Sequence, residues 1–123
     1  GDVETITVLS YNVLSETGAK YVKARCDGTF LTHAYRRKNL LGEITEYEPD
    51  VVCLQELERY AGHWHAALRD VAFASCFKKR TGNKFDGCCT AWRTSRFALV
   101  AQHAVEYDAL GGKRGAGDAL QAA

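Results

Sequence analysis

The sequence contains no methionine and one proline, and its net charge is only +1. It has no apolar run near the ~20 residues that a membrane-crossing helix needs. No charged-then-apolar leader opens it, so neither a membrane partner nor a targeting segment is expected. The near-balance of charge argues against a strongly basic nucleic-acid module, although a local patch could still hold one. The missing initiator methionine suggests a piece of something longer. Cysteine is present but unpatterned: Cys26, Cys53, Cys76, Cys88 and Cys89 are odd in number and show no C-x-x-C zinc spacing. Free thiols in an intracellular reducing compartment, cytoplasmic or nuclear, are the expectation, with a disulfide as the alternative.

What is present is a core. Apolar residues make up 46% of 123 residues, enough for one packed domain and too few for two. Residues 5–10, Thr-Ile-Thr-Val-Leu-Ser, are β-branched and apolar and read as a strand ending at Tyr11-Asn12. Residues 15–32 lack periodicity and read as a long loop, functional or packed on itself. Residues 35–48 read as a helix with Leu40, Leu41, Ile44 and Tyr47 on one stripe, ended by Pro49. Residues 50–55 form a short apolar run that suggests a strand buried on both faces. Residues 60–71 read as a weaker helix carrying Trp64, Leu68 and Val71. Residues 72–79 and 88–93 read as strands joined by turn chemistry, and residues 97–107 as a strand pair or one bent strand. From 109 onward a Gly/Ala-rich tail carries little pattern and is expected to be poorly ordered. The order implies an α/β fold: a right-handed crossover helix between two parallel strands, then a meander, in one mixed sheet.

Both buried strands end on hydrogen-bonding side chains. If the helix crosses between them, Asn12 and Glu56 emerge at the same sheet edge, where α/β proteins bind ligands. A carboxylate at the end of a buried strand is costly unless something pairs with it. Magnesium, which takes one or two carboxylates plus waters and phosphate oxygens, is one such partner. On this logic Glu56 is a metal ligand, and Asn12 orients it or a substrate phosphate. The bland alternative stands beside it: Glu56 as a surface carboxylate and Asn12 as a turn-starter.

A resemblance bears on that choice. Residues 6–14, Ile-Thr-Val-Leu-Ser-Tyr-Asn-Val-Leu, resemble the opening motif of the endonuclease/exonuclease/phosphatase superfamily. Residues 49–57, Pro-Asp-Val-Val-Cys-Leu-Gln-Glu-Leu, resemble its second motif, with the signature glutamate after Leu-Gln. Tyr35-Arg36-Arg37 and Leu40-Leu41-x-x-Ile44 are similar to the intervening helix of the carbon catabolite repressor-type deadenylases, nocturnin and the Angel proteins. Residues 79–88, Lys-Arg-Thr-Gly-Asn-Lys-Phe-Asp-Gly-Cys, are similar to a stretch of the Angel-like and plant deadenylase-like members. Arg96-Phe97 and Val105-Glu106-Tyr107 continue the likeness, which covers about residues 4–108 and sets the domain boundary there.

The resemblance implies the N-terminal half of a four-layered, DNase I-like α/β sandwich with a Mg2+ site. Its reaction would be phosphodiester hydrolysis on RNA, by a 3′-exoribonuclease acting on poly(A), with Asn12 and Glu56 in the active site. Other branches of the superfamily act on phosphoinositides, sphingomyelin, DNA or cyclic-phosphate RNA ends, and remain alternatives. The family's downstream Asp-x-Asn and Ser-Asp-His motifs do not occur in this chain. The 123 residues are therefore expected to be inactive alone, and a non-catalytic fragment is the further alternative.

Other candidates are weaker. Lys78, Lys79, Arg80 and Lys84 cluster around a hairpin, where Arg80 and Lys84 could hold RNA phosphates or simply face solvent. Phe77 and Phe85 beside them could stack bases, with core packing preferred. His63 and His65 flank Trp64, but i and i+2 do not face the same way on a helix, so a solvated face is expected. His33 and His103 look isolated. Asp86-Gly87 reads as a turn. The Gly111-Gly112-x-x-Gly115-x-Gly117 run lacks a phosphate-loop ending and is discounted as a nucleotide site.

Overall fold

The computed structural model describes residues 3–110. Four strands form one mixed sheet in the order β1-β2-β4-β3, with β1 Val8–Asn12, β2 Val51–Leu57, β3 Phe73–Lys79 and β4 Gly87–Arg93. β1 and β2 are parallel, with Val8 opposite Val51 and Asn12 opposite Gln55. The remaining pairs, β2 with β4 and β3 with β4, are antiparallel. The crossover between parallel β1 and β2 expected from the pattern is present. The meander is not: β4 lies between β2 and β3, so β2 and β3 are not neighbours and only β3 and β4 pair as a hairpin.

The crossover helix α2 spans His33–Glu46. Thr32 caps it, its hydroxyl accepting from the Tyr35 N–H at 3.4 Å. The helix starts two residues earlier than expected because of this cap. It stops at Glu46, with Tyr47 as C-cap and Glu48 in the left-handed region at φ 47°. Tyr47 therefore leaves the apolar stripe and is exposed, while Ile44 is fully buried and Leu40 and Leu41 pack against the core.

The second helical segment begins as a π-helical turn at Tyr60–Trp64 and continues as α3 at His65–Asp70. Trp64 and Leu68 go into the core. They join Ile44, Val52, Leu54, Leu57, Phe73, Cys89 and Ala91 under the helix-covered face of the sheet. Burying side chains of this size stabilises by ~1.5–3 kcal/mol each relative to exposure.

Several expectations are corrected. β1 is displaced to Val8–Asn12, because the Thr7 carbonyl turns to accept the Asp50 and Val51 N–H groups at 2.9 and 3.1 Å. β2 is not buried on both faces: Val52, Leu54 and Leu57 are buried, but Val51, Cys53 and Gln55 are only half-buried. The helices cover one face, and nothing among the described residues seals the other. The presumed loop 15–32 contains a helical turn α1 at Glu16–Ala19 and two 3₁₀ turns at Lys20–Arg25 and Gly28–Leu31. Local caps build them: Ser15 accepts from the Gly18 N–H and Asp27 from the Thr29 N–H. Residues 97–106 form no strand, since no sheet edge pairs with them and β-branched composition alone makes no ladder. A short helix, α4 Tyr107–Leu110, follows. The Gly-rich run and nearly all of the tail lie outside the described residues.

The sequence expectation for the cysteines is met in one respect: all five are free. Cys89 is buried, and desolvation pushes its thiol up to about 12.

Candidate functional site

The site lies where β1 and β2 end together. Parallel pairing brings Asn12 beside Gln55, and the next residue is Glu56. At this point β2 bulges: its register on β4 shifts between Leu54 and Leu57, and Glu56 takes a left-handed backbone with φ 56°. A left-handed glutamate costs about 1–3 kcal/mol and persists where its surroundings hold it, which is common at functional sites. Bulges re-aim side chains in the same way. Leu14 and Arg59, at φ 56° and 57°, flank the same edge.

The Glu56 carboxylate is held at both oxygens. The Asn12 side-chain amide donates to Oε1 at 2.9 Å, and the Ser15 backbone N–H donates to Oε2 at 3.2 Å. The Asn12 carbonyl is itself fixed, accepting from the Leu14 N–H at 2.9 Å. That bond orients the amide so that its NH2 faces the carboxylate. The Asn12 bond and then the Ser15 N–H hold the Glu56 carboxyl below its usual value. Burial and Asp86 oppose this, and Arg80 assists it. Glu56 is thus an oriented, ionised carboxylate with one donor per oxygen and lone pairs left over.

Those properties fit a hard cation, because magnesium needs few protein ligands and takes phosphate oxygens and water for the rest. Among the described residues no group of three His, Cys, Asp or Glu side chains converges as a complete metal cage. Glu56 would hold the ion, with Asn12 fixing the ligand's direction. Bound there, a divalent ion would supply positive charge to a phosphoryl oxygen.

Arg80 and Asp86 stand beside this carboxylate, close enough for both charges to act on it. Asp86 is 5% exposed and pairs with the Arg80 guanidinium, and the Arg80 N–H closes the loop onto the Asp86 carbonyl at 2.9 Å. Asp86-Gly87 is therefore no simple turn. Gly87 opens β4 so close to β3 that a Cβ there would lie 2.2 Å from the Lys78 carbonyl oxygen. Lys79 spends its ammonium on the carbonyls of Arg80, Gly82 and Lys84, which staples the loop. Lys78 pairs with Glu106. Lys84 is exposed, and so is Phe85, contrary to the core packing expected for it. Phe77 does pack, stacked on Tyr60 at 4.8 Å.

Sequence reasoning missed three contributors. Ser15 acts through its backbone N–H, which no residue type advertises. Asp86 was read as turn chemistry, though its burial makes it a partner for Arg80. His33 looked isolated and His63 was expected on a solvated helix face, yet both are half-buried and their rings meet edge-on at 5.5 Å. Glu16 anchors this side of the site, pairing with Arg59 and lying 3.7 Å from His33. Arg59 and then His33 hold its carboxyl low against the cost of burial.

Comparison with known proteins gives the family and the fold. The Endonuclease/Exonuclease/phosphatase family profile matches residues 9–120. The chain is 38% identical over 114 residues to carbon catabolite repressor protein 4 homolog 1 of Arabidopsis thaliana, covering 85% of this chain and 19% of that protein. It is 34% identical over 106 residues to human protein angel homolog 1, covering 82% of this chain and 16% of the relative. It superposes on ANGEL2, described as a 2′,3′-cyclic phosphatase in complex with adenosine-2′,3′-vanadate, with a TM-score of 0.73 and 33% identity. That match covers 78% of this chain and 29% of ANGEL2. The human nocturnin catalytic domain, solved with a sulfate anion, matches with a TM-score of 0.64 and 26% identity, covering 78% of this chain and 35% of its own. The chain thus spans about a fifth of the length of the curated relatives it matches. The crossover, the strand-end glutamate and all of the mixed sheet except Val8 lie inside the matched region, the α/β fold is DNase I-like, and the chain belongs to the Endonuclease/Exonuclease/phosphatase family.

Proposed function

We propose that this chain forms the first part of a magnesium-dependent phosphodiesterase acting on RNA, with Glu56 as metal ligand and Asn12 as its orienting partner. The observation that carries this reading is the double hold on Glu56: an amide on one oxygen, a backbone N–H on the other, and a strained bulge presenting both. Such a carboxylate is preorganised toward the space outside the sheet, where an ion and a phosphate can meet.

The substrate in this reading is a 3′ poly(A) end, as the resemblance of residues 35–44 and 79–88 to deadenylases suggests. Arg80, with guanidinium donors beyond those used by Asp86, and Lys84 would contact phosphate. A specific observation supports a second reading, hydrolysis of 2′,3′-cyclic phosphate ends: ANGEL2, which superposes better than nocturnin does, is described as a 2′,3′-cyclic phosphatase. The five unpaired thiols support a reducing compartment. The 123 residues alone lack the remaining motifs of the family and should not turn over.

The test is a substrate panel on a protein that carries this segment within a whole family domain. Poly(A) RNA and an RNA ending in a 2′,3′-cyclic phosphate are compared with and without Mg2+. Metal-dependent hydrolysis of one of them, abolished by Glu56→Gln, is expected. Undiminished hydrolysis by Glu56→Gln would remove Glu56 from its role.

A further inference from the structure

We propose that the segment from Thr17 to Lys38 is a binding surface for single-stranded RNA that leads up to Glu56, a surface that deepens the RNA reading above and rests on it for the identity of its ligand. The first observation is charge. Residues 17–38 contain six Lys or Arg and one Asp, a net +5, while the other 101 residues contain ten and fourteen, a net −4. A chain almost neutral in sum is therefore strongly polarised, with its positive end on the segment between β1 and the first turns of α2.

The second observation is that these cations are available. Lys20, Lys23, Arg25 and Lys38 are exposed, and among the described residues none of them takes part in an ion pair. The acids nearby are already engaged: Asp27 accepts from the Thr29 N–H and Glu16 is paired with Arg59. Lys20 and Lys23 sit three residues apart in a 3₁₀ turn, so they share a face about 6 Å apart along the axis.

The third observation is aromatic. Tyr21 is 86% and Phe30 51% exposed, and Phe30 meets Tyr35 edge-on at 5.3 Å. Exposed rings interleaved with unpaired cations are the chemistry of single-strand binding, in which cations track the phosphates and rings stack the bases. An acidic membrane would use the charges but has no bases to stack, which favours RNA.

The fourth observation is placement. The segment starts one helical turn from the site: the Ser15 N–H bonds Glu56, and the position of a Cβ on Gly18 lies 3.5 Å from Glu56 Oε2. The 3₁₀ turns contact one another and α2, so the surface is continuous from the sheet edge to Tyr35. A strand lying along it would deliver a phosphodiester to Glu56.

The test uses the 123-residue chain and fluorescence anisotropy with a labelled fifteen-nucleotide oligo(A) RNA. The variants are a triple charge reversal, Lys20→Glu, Lys23→Glu and Arg25→Glu, and a double truncation, Tyr21→Ala with Phe30→Ala. All five positions are exposed, and thermal unfolding of each variant verifies the fold. The charge reversal should weaken binding at least tenfold and flatten the log-log salt dependence by about 2. The aromatic truncation should weaken it about tenfold. Vesicles of phosphatidylserine form the competing arm and should bind more weakly than RNA. Affinity within twofold of the original in the charge-reversed variant, absence of RNA binding by the original chain, or preference for the vesicles overturns the proposal. A Mg2+ titration of the same chain reads Glu56 separately. RNA binding without a metal response sinks the metal assignment and leaves this surface standing, and the converse sinks this surface alone.

Discussion

Asn12 and Glu56 are 44 residues apart in sequence and joined by a 2.9 Å hydrogen bond across the ends of two parallel strands. The crossover helix brings them together, and the β2 bulge turns the glutamate toward the amide. Everything chemical at this edge follows from that bond, because it sets both the direction and the ionisation of the carboxylate. Replacing Asn12 by alanine should cost about 1 kcal/mol, below the ~1.5–3 kcal/mol of a bond to a charged group, since this bond is exposed to solvent screening. Urea denaturation at neutral pH measures it. A loss below a few tenths would show that the bond contributes nothing in solution.

Two glycines should respond in opposite directions. Gly87→Ala forces a Cβ onto the Lys78 carbonyl at 2.2 Å and should destabilise by about 3 kcal/mol or more, because backbone must move. Gly42→Ala, in α2 with open space around it, should stabilise by about 0.5–1 kcal/mol. Thermal unfolding of both variants gives the contrast, and equal effects would contradict the close β3–β4 approach.

Glu48 occupies the left-handed position that follows α2. Glycine takes that backbone without strain, so Glu48→Gly should raise stability by about 1 kcal/mol. A destabilised variant would mean that the helix ends elsewhere.

The histidine pair predicts a pH dependence. Burial holds His33 and His63 below their usual value. Glu16 opposes this at His33, and Arg37 adds to it at both. The unfolded chain then binds more protons than the fold, so stability should rise with pH through the histidine range and fall as pH drops below about 6.5. The Glu16 carboxyl is depressed instead, and its contribution is present at neutral pH and lost only in more acid solution. Replacing both histidines by glutamine should flatten denaturation midpoints measured between pH 7.5 and 5.5. An unchanged slope would place the titration elsewhere.

The parts legible in sequence were those fixed by periodicity and by strand-end chemistry. Ile44, Trp64 and Leu68 fell into the core as their spacing required, and the helix between two apolar strands dictated the parallel pair that joins Asn12 to Glu56. What stayed hidden depends on the backbone or on distant partners. The Ser15 N–H and the left-handed turn at Glu56 leave no mark in residue type. Asp86 looked like a turn because its burial beside Arg80 arises only when Gly87 lets β4 press against β3. Residues 97–106 have strand-like composition, but no sheet edge receives them. Val51 and Cys53 are apolar on a face that the described helices leave uncovered, so the expectation of two-sided burial outran the chain itself.

The most direct test is a magnesium titration of this chain followed by NMR, with the side-chain resonances of Glu56 and Asn12 assigned. Saturable shifts at both residues, absent from Glu56→Gln and unaffected by Lys84→Ala, are the predicted result. Resonances that stay in place while Mg2+ rises to millimolar levels would contradict the metal-bearing role of this strand end.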